Sequence, residues 1–173
     1  LEQAFRTLTI TGTAAPSIAI AGTSAYTENA DAQPLNPPVA LALSDIDSTT
    51  LFRATVKIAT GWVAGDALAF VNDNATAMGN ILGAYDSGTH MLTLESSDHT
   101  ATLAQWTAAL KAVTFSSSSD NPGPSRTIEW QVRDPDGNAS NVGTTTITVT
   151  EVNDAPVATQ VADRTANPGD IFS

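Results

Sequence analysis

The side chains of this sequence that could do chemistry are mainly carboxylates. The 173-residue chain has 18 Asp and Glu, 7 Lys and Arg, two His and no Cys. The lack of cysteine excludes disulfides, thiolate nucleophiles, zinc–thiolate sites and iron–sulfur clusters. Hard cations such as calcium take six to eight oxygen ligands from carboxylates, amides, backbone carbonyls and water. The residue types therefore direct attention to oxygen-ligated cations.

The candidate ligands share one property, which is that each lies beside the end of a predicted strand. They are Glu28, Asp45, Asp47, Asp134, Asp136, Asn153 and Asp154. Glu28 precedes the predicted strand 39–44 and Asp45 follows it, so this strand holds the two carboxylates about 20 Å apart. We therefore predict two poles. The pairs at 45/47 and 134/136 share one pole, while Glu28 shares the other with the pair at 153/154.

Each candidate also has an alternative role as an ordinary turn former. Asp and Asn are common in turns because their side chains accept hydrogen bonds from nearby backbone amides. The segment Asp134-Pro135-Asp136-Gly137-Asn138 is compatible with a tight turn or with a self-contained acidic loop. For Asp45 and Asp47 the turn role and the cation role both remain open at this point.

The remaining reactive side chains do not form a recognisable catalytic set. His90 and His99 are separated by a predicted strand and have no carboxylates at metal spacing, so we predict surface positions for both. Glu95 and Glu129 fall on the solvated sides of alternating strands, which does not give the facing pair that a glycosidase needs. There is no Gly-rich phosphate loop and no nucleophile elbow. We predict that the protein is not an enzyme.

The three tryptophans raise a second possibility, which is sugar binding. Trp106 and Trp130 lie on apolar faces of predicted elements and are expected in the core. Trp62 follows Gly61 in a predicted turn and is the candidate for exposure. An exposed aromatic side chain of this kind would favour a polysaccharide-binding module over a purely structural domain.

Charge and hydrophobicity exclude several classes of partner. The net charge is −11, so no basic stripe is present for nucleic acid or for an anionic membrane surface. No apolar run approaches the roughly 18 to 20 residues of a membrane helix, and no leader opens the chain. We predict no nucleic-acid binding and no membrane insertion. The chain reads as a cytosolic protein or as an internal piece of a secreted one.

Short alternating segments separated by turn residues predict an all-β fold. Residues 52–58, 128–132 and 144–151 alternate between apolar and polar, and 81–85 and 91–95 flank the turn signal Asp86-Ser87-Gly88. One helix interrupts the strands, because Thr102 and Gln105 form a capping box and Leu103, Trp106, Leu110 and Val113 follow helical spacing. Turn signals every 8 to 15 residues are typical of a β-sandwich.

The ends of the chain differ from this core. We predict that residues 1–14 are the closing strand of a preceding repeat and its linker, that 15–152 form the β-sandwich domain, and that 153–173 are a linker and the truncated start of a following repeat. The chain thus reads as an excised repeat with two stubs.

The junction Val152-Asn153-Asp154-Ala155-Pro156 closely resembles the linker between cadherin-like repeats of large bacterial surface adhesins of the RTX and biofilm type. Further resemblances occur in matching order. They are the Glu-Asn motif in Tyr26-Thr27-Glu28-Asn29, the Asp-x-Asp pair in Ser44-Asp45-Ile46-Asp47, the turn Val132-Arg133-Asp134-Pro135-Asp136-Gly137, the helix and strand at 103–115, and a tail at 155–173 similar to dystroglycan-type repeats.

The resemblance implies a Greek-key β-sandwich, cadherin-like or Ig-like, that binds Ca²⁺ and acts as a rigid extracellular spacer in cell adhesion or biofilm formation. The implied partners are adjacent repeats of the same polypeptide, with cell-surface polysaccharide or homophilic contacts as further candidates. Two departures exist. The cadherin Leu-Asp-Arg-Glu element has no clear match, and the upstream junction Thr13-Ala14-Ala15-Pro16 lacks the Asn and Asp that are found at 153 and 154.

Overall fold

Alternating apolar and polar residues form eleven strands and two helices in the computed structural model, which describes residues 13–35 and 41–154. The strands are β1 (Ser17–Ala19), β2 (Thr23–Thr27), β3 (Gln33–Pro34), β4 (Ala42–Ser44), β5 (Arg53–Thr60), β6 (Asp66–Ala69), β7 (Leu82–Asp86), β8 (Met91–Glu95), β9 (Thr114–Ser117), β10 (Ser125–Arg133) and β11 (Gly143–Thr150). The helices are α1 (Ala75–Met78) and α2 (Leu103–Lys111).

The larger sheet contains six strands in the order β2-β11-β10-β5-β8-β7. All neighbours are antiparallel except β2 and β11, which are parallel. On β10 every second side chain is buried, including Ile128, Trp130 and Val132. On β11 the alternating residues Ile147 and Val149 are buried as well. The alternation predicted from the sequence thus gives the sheet one apolar inner face.

A three-stranded sheet, in the order β3-β9-β6, covers that inner face. Leu68 and Phe115 from this sheet join the same buried core, and the ring of Phe115 meets the ring of Tyr26 edge to face at 5.1 Å. The chain crosses between the sheets from β5 to β6 and back to β7, and again from β8 to β9 and back to β10. The fold is the predicted Greek-key β-sandwich.

Two glycines allow the first strands to divide between sheets. β1 pairs with β4 in a separate two-stranded sheet, whereas β2 joins the large sheet, and Gly22 between them has φ of 139°, a value that favours glycine. β1 lies close to the start of β11. A Cβ atom at Gly143 would come within 2.2 Å of Ile20 Cγ2, so only glycine permits this approach.

The predicted capping box begins α2. The Thr102 hydroxyl accepts a hydrogen bond from the Gln105 backbone N–H at 3.3 Å, and the Gln105 side chain accepts one from the Thr102 backbone N–H at 2.9 Å. Trp106 and Leu110 are fully buried, and Leu103 packs against the core from the edge. The sequence predicted one helix, whereas the described residues contain two. The additional one is the one-turn helix α1, which Asn74 caps.

One ion pair is buried inside the sandwich. The Arg126 guanidinium on β10 donates to the Asp66 carboxylate on β6 at 2.5 and 3.1 Å, and both side chains are almost fully buried. The pair connects the two sheets across 60 positions of sequence.

Several sequence predictions reach beyond the described residues. The strand predicted within 1–11 and the tail at 155–173 lie outside them, as does the first part of the strand predicted at 39–44. Neither described helix has the length and hydrophobicity of a membrane-spanning segment.

Candidate cation sites at the two ends of the sandwich

Glu28 is one of the two buried candidate ligands, the other being Asp134. It follows β2, its backbone N–H donates to Thr150 O at 2.9 Å, and its side chain is 4% exposed. One carboxylate oxygen, Oε2, accepts the Val152 N–H at 2.7 Å. The other, Oε1, is buried and has no hydrogen-bond partner. A buried carboxylate oxygen without a donor is energetically costly, and a cation would relieve that cost.

Asn153 and Asp154 follow directly after the residue that Glu28 holds. Both side chains are exposed, and the Asn153 amide donates to Asp154 O at 3.3 Å. The three candidate ligands predicted for this pole are therefore brought to the same end of the sandwich, where β2 and β11 both terminate.

Asp45 and Asp47 lie close together in the segment that leads into β5, and each affects the pKa of the other. Asp45 Oδ1 accepts the N–H groups of Asp47 and Ser48, at 3.2 and 3.3 Å, as in an Asx turn. Asp45 Oδ2 is buried without a partner. Asp47 Oδ2 accepts the Ala14 N–H at 2.8 Å, which connects the pair to the upstream segment.

The pKa values of the two carboxyls move in opposite directions. The pKa of Asp45 is raised, first by burial and then by the neighbouring Asp47 carboxyl. The pKa of Asp47 is lowered, chiefly by the hydrogen bond from the Ala14 N–H. The two carboxyls thus disfavour simultaneous ionisation, which is the electrostatic situation that a shared cation would stabilise.

Asp134 is occupied by its own turn. Its two carboxylate oxygens accept the backbone N–H and the side-chain amide of Asn138, both at 2.8 Å, and the side chain is buried. Asp136 is exposed at the tip of the same turn. The turn is at the same end of the large sheet as the Asp45 segment, since Phe52 N–H donates to Arg133 O at 3.0 Å.

Within residues 13–35 and 41–154, no three His, Cys, Asp or Glu side chains approach closely enough to hold a metal ion by themselves. The candidate ligand atoms at the two poles are carboxylate and amide oxygens, which are the ligand types that a hard cation prefers. At Glu28 and at the Asp45–Asp47 pair, the described residues would thus offer a cation only part of a coordination shell, and further oxygens would be needed to complete it.

The backbone donors at these sites were not apparent from the sequence. Neither Ala14 nor Val152 has a side chain that signals a role, yet their N–H groups engage Asp47 and Glu28. The proximity of Val152 to Glu28 follows from the register of β2 against β11, in which Thr27 is opposite Thr150. A sequence signal for that register is lacking.

The tryptophans and histidines differ in how far they are exposed. Trp62 is 38% exposed and its ring stacks on His90 at 4.0 Å, while Trp106 and Trp130 are buried in the core. His99 is exposed and its ring lies 4.8 Å from that of Phe52.

Glu95 and Glu129 lie in two different depressions on the outer face of the large sheet. Glu95 forms an ion pair with Arg53, and Glu129 is opposite Lys57 in the strand register. The two glutamates do not face one another across a cleft.

No protein-family profile matches the sequence, and no curated protein matches it either. Among solved structures, the chain is similar to a type I cohesin–dockerin complex from Clostridium thermocellum, at 11% identity over 78% of this chain and 94% of that one, with a TM-score of 0.43. It is also similar to the SrpA adhesin from Streptococcus sanguinis, at 14% identity over 82% of this chain and 58% of that one, with a TM-score of 0.41.

A third similar structure is the seventh ScaB type I cohesin from Pseudobacteroides cellulosolvens, at 8% identity over 84% of this chain and 98% of that one, with a TM-score of 0.43. At these identities and TM-scores, the β-sandwich assignment rests on the strand pairing and the shared core of the chain itself.

Proposed function

We propose that this chain is a calcium-binding structural repeat of a bacterial surface adhesin, extracellular and without catalytic activity. In this proposal calcium bridges the oxygens at the ends of the sandwich to those of adjacent repeats. The bridged junctions would make the repeats a rigid spacer in adhesion or biofilm formation. The residues that would hold the ion at the downstream end are Glu28, Asn153 and Asp154.

The observation that carries the proposal is the buried Glu28 carboxylate. Its Oε2 atom fixes the start of the downstream segment through Val152, and its Oε1 atom has no donor. A second, weaker support is the contact between the Asp45 and Asp47 carboxyls beside Ala14, at the upstream end.

Calcium would supply charge neutralisation at these junctions. The chain has a net charge of −11, so adjacent repeats of similar composition repel one another without a cation. The protein contributes by holding Glu28 in a fixed position, because a preformed ligand loses little entropy on binding.

Isothermal titration with calcium tests the proposal. We expect Glu28→Gln to weaken or abolish binding, because the amide keeps the shape of the side chain and removes its charge. Glu129→Gln is the matched control, since it removes the same charge from a half-buried site on the outer sheet face. Equal calcium affinity in the two variants would contradict the assignment of Glu28.

A polysaccharide-binding role is the second candidate, favoured by Trp62. Its ring is partly exposed and is held in place by the stack on His90, which gives a preorganised surface for a sugar ring. Affinity electrophoresis in gels containing neutral or acidic polysaccharides tests this role. Retardation of the wild type that is lost in Trp62→Ala would support it, whereas no retardation in any gel would reject it.

A further inference from the structure

We infer that the parallel pairing of β2 with β11 is a mechanical clamp, which bears tension applied along the polypeptide. The pair is the one parallel contact among the strand pairings of the described residues. It is also the pairing that joins the first strands of the domain to its last strand.

The ladder is closed at both of its ends. The register runs from Thr23 opposite Thr146 to Thr27 opposite Thr150. At one end the Thr146 N–H donates to Gly22 O at 3.0 Å, and at the other the Glu28 N–H donates to Thr150 O at 2.9 Å. The hydrogen bonds thus extend one residue beyond β2 in each direction.

The direction of the two strands decides how force acts on this ladder. Tension reaches β2 from the chain before Thr23 and reaches β11 from the chain after Thr150. Because the strands are parallel, these two points lie at opposite ends of the ladder. The hydrogen bonds are therefore loaded side by side in shear and must break together. An antiparallel hairpin pulled at its open end would break them one at a time.

Side chains prevent β2 from sliding along β11. The Tyr26 side chain is buried, and its hydroxyl lies 2.8 Å from Ala30 O and 3.1 Å from Ser117 O on the opposite sheet. It also accepts the Ser117 N–H at 3.1 Å. A shift of β2 by one register would break these bonds and expose Tyr26. The Val152–Glu28 bond at 2.7 Å adds a connection just after β11.

The clamp does not depend on a bound cation, since every contact named above joins protein atoms. It therefore goes beyond the proposed calcium function and is testable separately. Failure of calcium to bind would leave the clamp intact, and failure of the clamp would leave the calcium measurement unaffected.

Single-molecule force spectroscopy of the full chain, held between marker domains, tests the inference in two pulling directions. Pulling through the two termini loads the ladder in shear. Pulling between the C-terminus and a cysteine introduced by Asp31→Cys loads it from the Thr150 end, because exposed Asp31 lies just beyond Glu28. The chain contains no other cysteine, so the attachment point is unique. We expect a several-fold lower unfolding force in the second geometry.

A matched pair of proline variants tests the ladder itself. Gly22 O and Glu28 N–H both point to β11, and backbone groups of a strand alternate in direction, so the Ser24 N–H also faces β11 and the Ala25 N–H faces away. Ser24→Pro removes a bond of the clamp, whereas Ala25→Pro introduces the same ring on an edge strand without removing one. We expect Ser24→Pro to reduce the shear unfolding force far more than Ala25→Pro.

Chelator and calcium are each present in separate runs of both experiments. Equal unfolding forces in the two pulling geometries would overturn the clamp. Equal losses in the two proline variants would also overturn it. If Ser24→Pro does not fold, the comparison of pulling geometries decides alone, because it leaves the ladder unchanged.

Discussion

At the scale of single residues, the buried Arg126–Asp66 pair makes a sharp prediction about stability. The Asp66 carboxylate accepts from the guanidinium and also from the Val63 N–H at 3.0 Å, so its hydrogen-bonding capacity is well used. Asp66→Asn leaves a buried guanidinium without a counter-charge. We expect the free energy of unfolding to fall by about 3–5 kcal/mol in urea denaturation.

Two variants control this measurement. Asp73→Asn makes the same chemical change at an exposed loop position and should leave stability nearly unchanged. The double variant Asp66→Leu with Arg126→Met removes both charges together and should recover most of the loss. A loss below about 1 kcal/mol in Asp66→Asn would mean that water reaches the Arg126 guanidinium when the carboxylate is removed.

The Asp98 carboxylate should contribute to the loss of folding stability at low pH. Hydrogen bonds from Thr100 and then from the Asn80 amide lower its pKa from an ordinary 3.8 to about 2. A carboxyl with a lowered folded-state pKa contributes stability above the unfolded value and loses it as pH falls through the folded one. Asp98 therefore stabilises the fold fully above pH 3.8 and loses that contribution towards pH 2.

Thermal unfolding scans at pH values from 5 down to about 2 test this assignment, because they span both pKa values. We expect Asp98→Asn to be less stable than the wild type at the upper end of that range and to show a shallower decline on acidification. Asp73→Asn again serves as the control. Parallel curves for Asp98→Asn and the wild type would contradict the prediction.

The alternation of side chains along a strand explains which contacts were predictable from the sequence. The alternation that placed Ile128, Trp130 and Val132 inward also places Arg126 inward, so its burial could have been read from β10. Its partner Asp66 could not, because 60 residues and a change of sheet separate them. For Asp134 the sequence left the ligand and turn-former roles open, and its two bonds to Asn138 are those expected of a turn former.

At the scale of elements, the packing of α2 on the core depends mainly on Trp106. Trp106 is fully buried and its indole N–H donates to Leu51 O at 2.9 Å, which connects the helix to the segment before β5. Trp106→Ala should reduce the free energy of unfolding by about 3–5 kcal/mol, because it leaves a large cavity. Trp62→Ala, at a partly exposed site, is the matched control and should cost less.

A smaller loss of unfolding free energy for Trp106→Ala than for Trp62→Ala would show that α2 contributes little to the core.

Elements with strong local sequence signals were the predictable ones. The capping box and apolar spacing located α2, and the turn residues located the β7–β8 hairpin. The four-residue α1 has too few positions to show a period, and the division of the first strands between two sheets depends on close packing at Gly22 and Gly143.

At the scale of the whole molecule, charge determines how the chain should respond to calcium. With a net charge of −11, added salt of any kind should reduce self-repulsion by screening. A specific site would act at much lower concentration than screening does. Comparison of calcium with sodium at equal ionic strength, by thermal unfolding, separates these two effects.

The proposed calcium function predicts weak binding in this chain and tighter binding when an adjacent repeat is present. Glu28, Asn153 and Asp154 leave several positions for water, so we expect a Kd of about 10⁻⁴ to 10⁻³ M, the range of weak extracellular calcium sites. Free calcium at 100 times the Kd would then stabilise the fold by about 2.7 kcal/mol. If an adjacent repeat shares the ion as proposed, a chain extended by such a repeat should gain the missing carboxylates and have a lower Kd. Isothermal titration of the two chains, each with its Glu28→Gln variant, measures this. Equal Kd values, or a tighter site that Glu28→Gln leaves intact, would show that the junction does not share the ion.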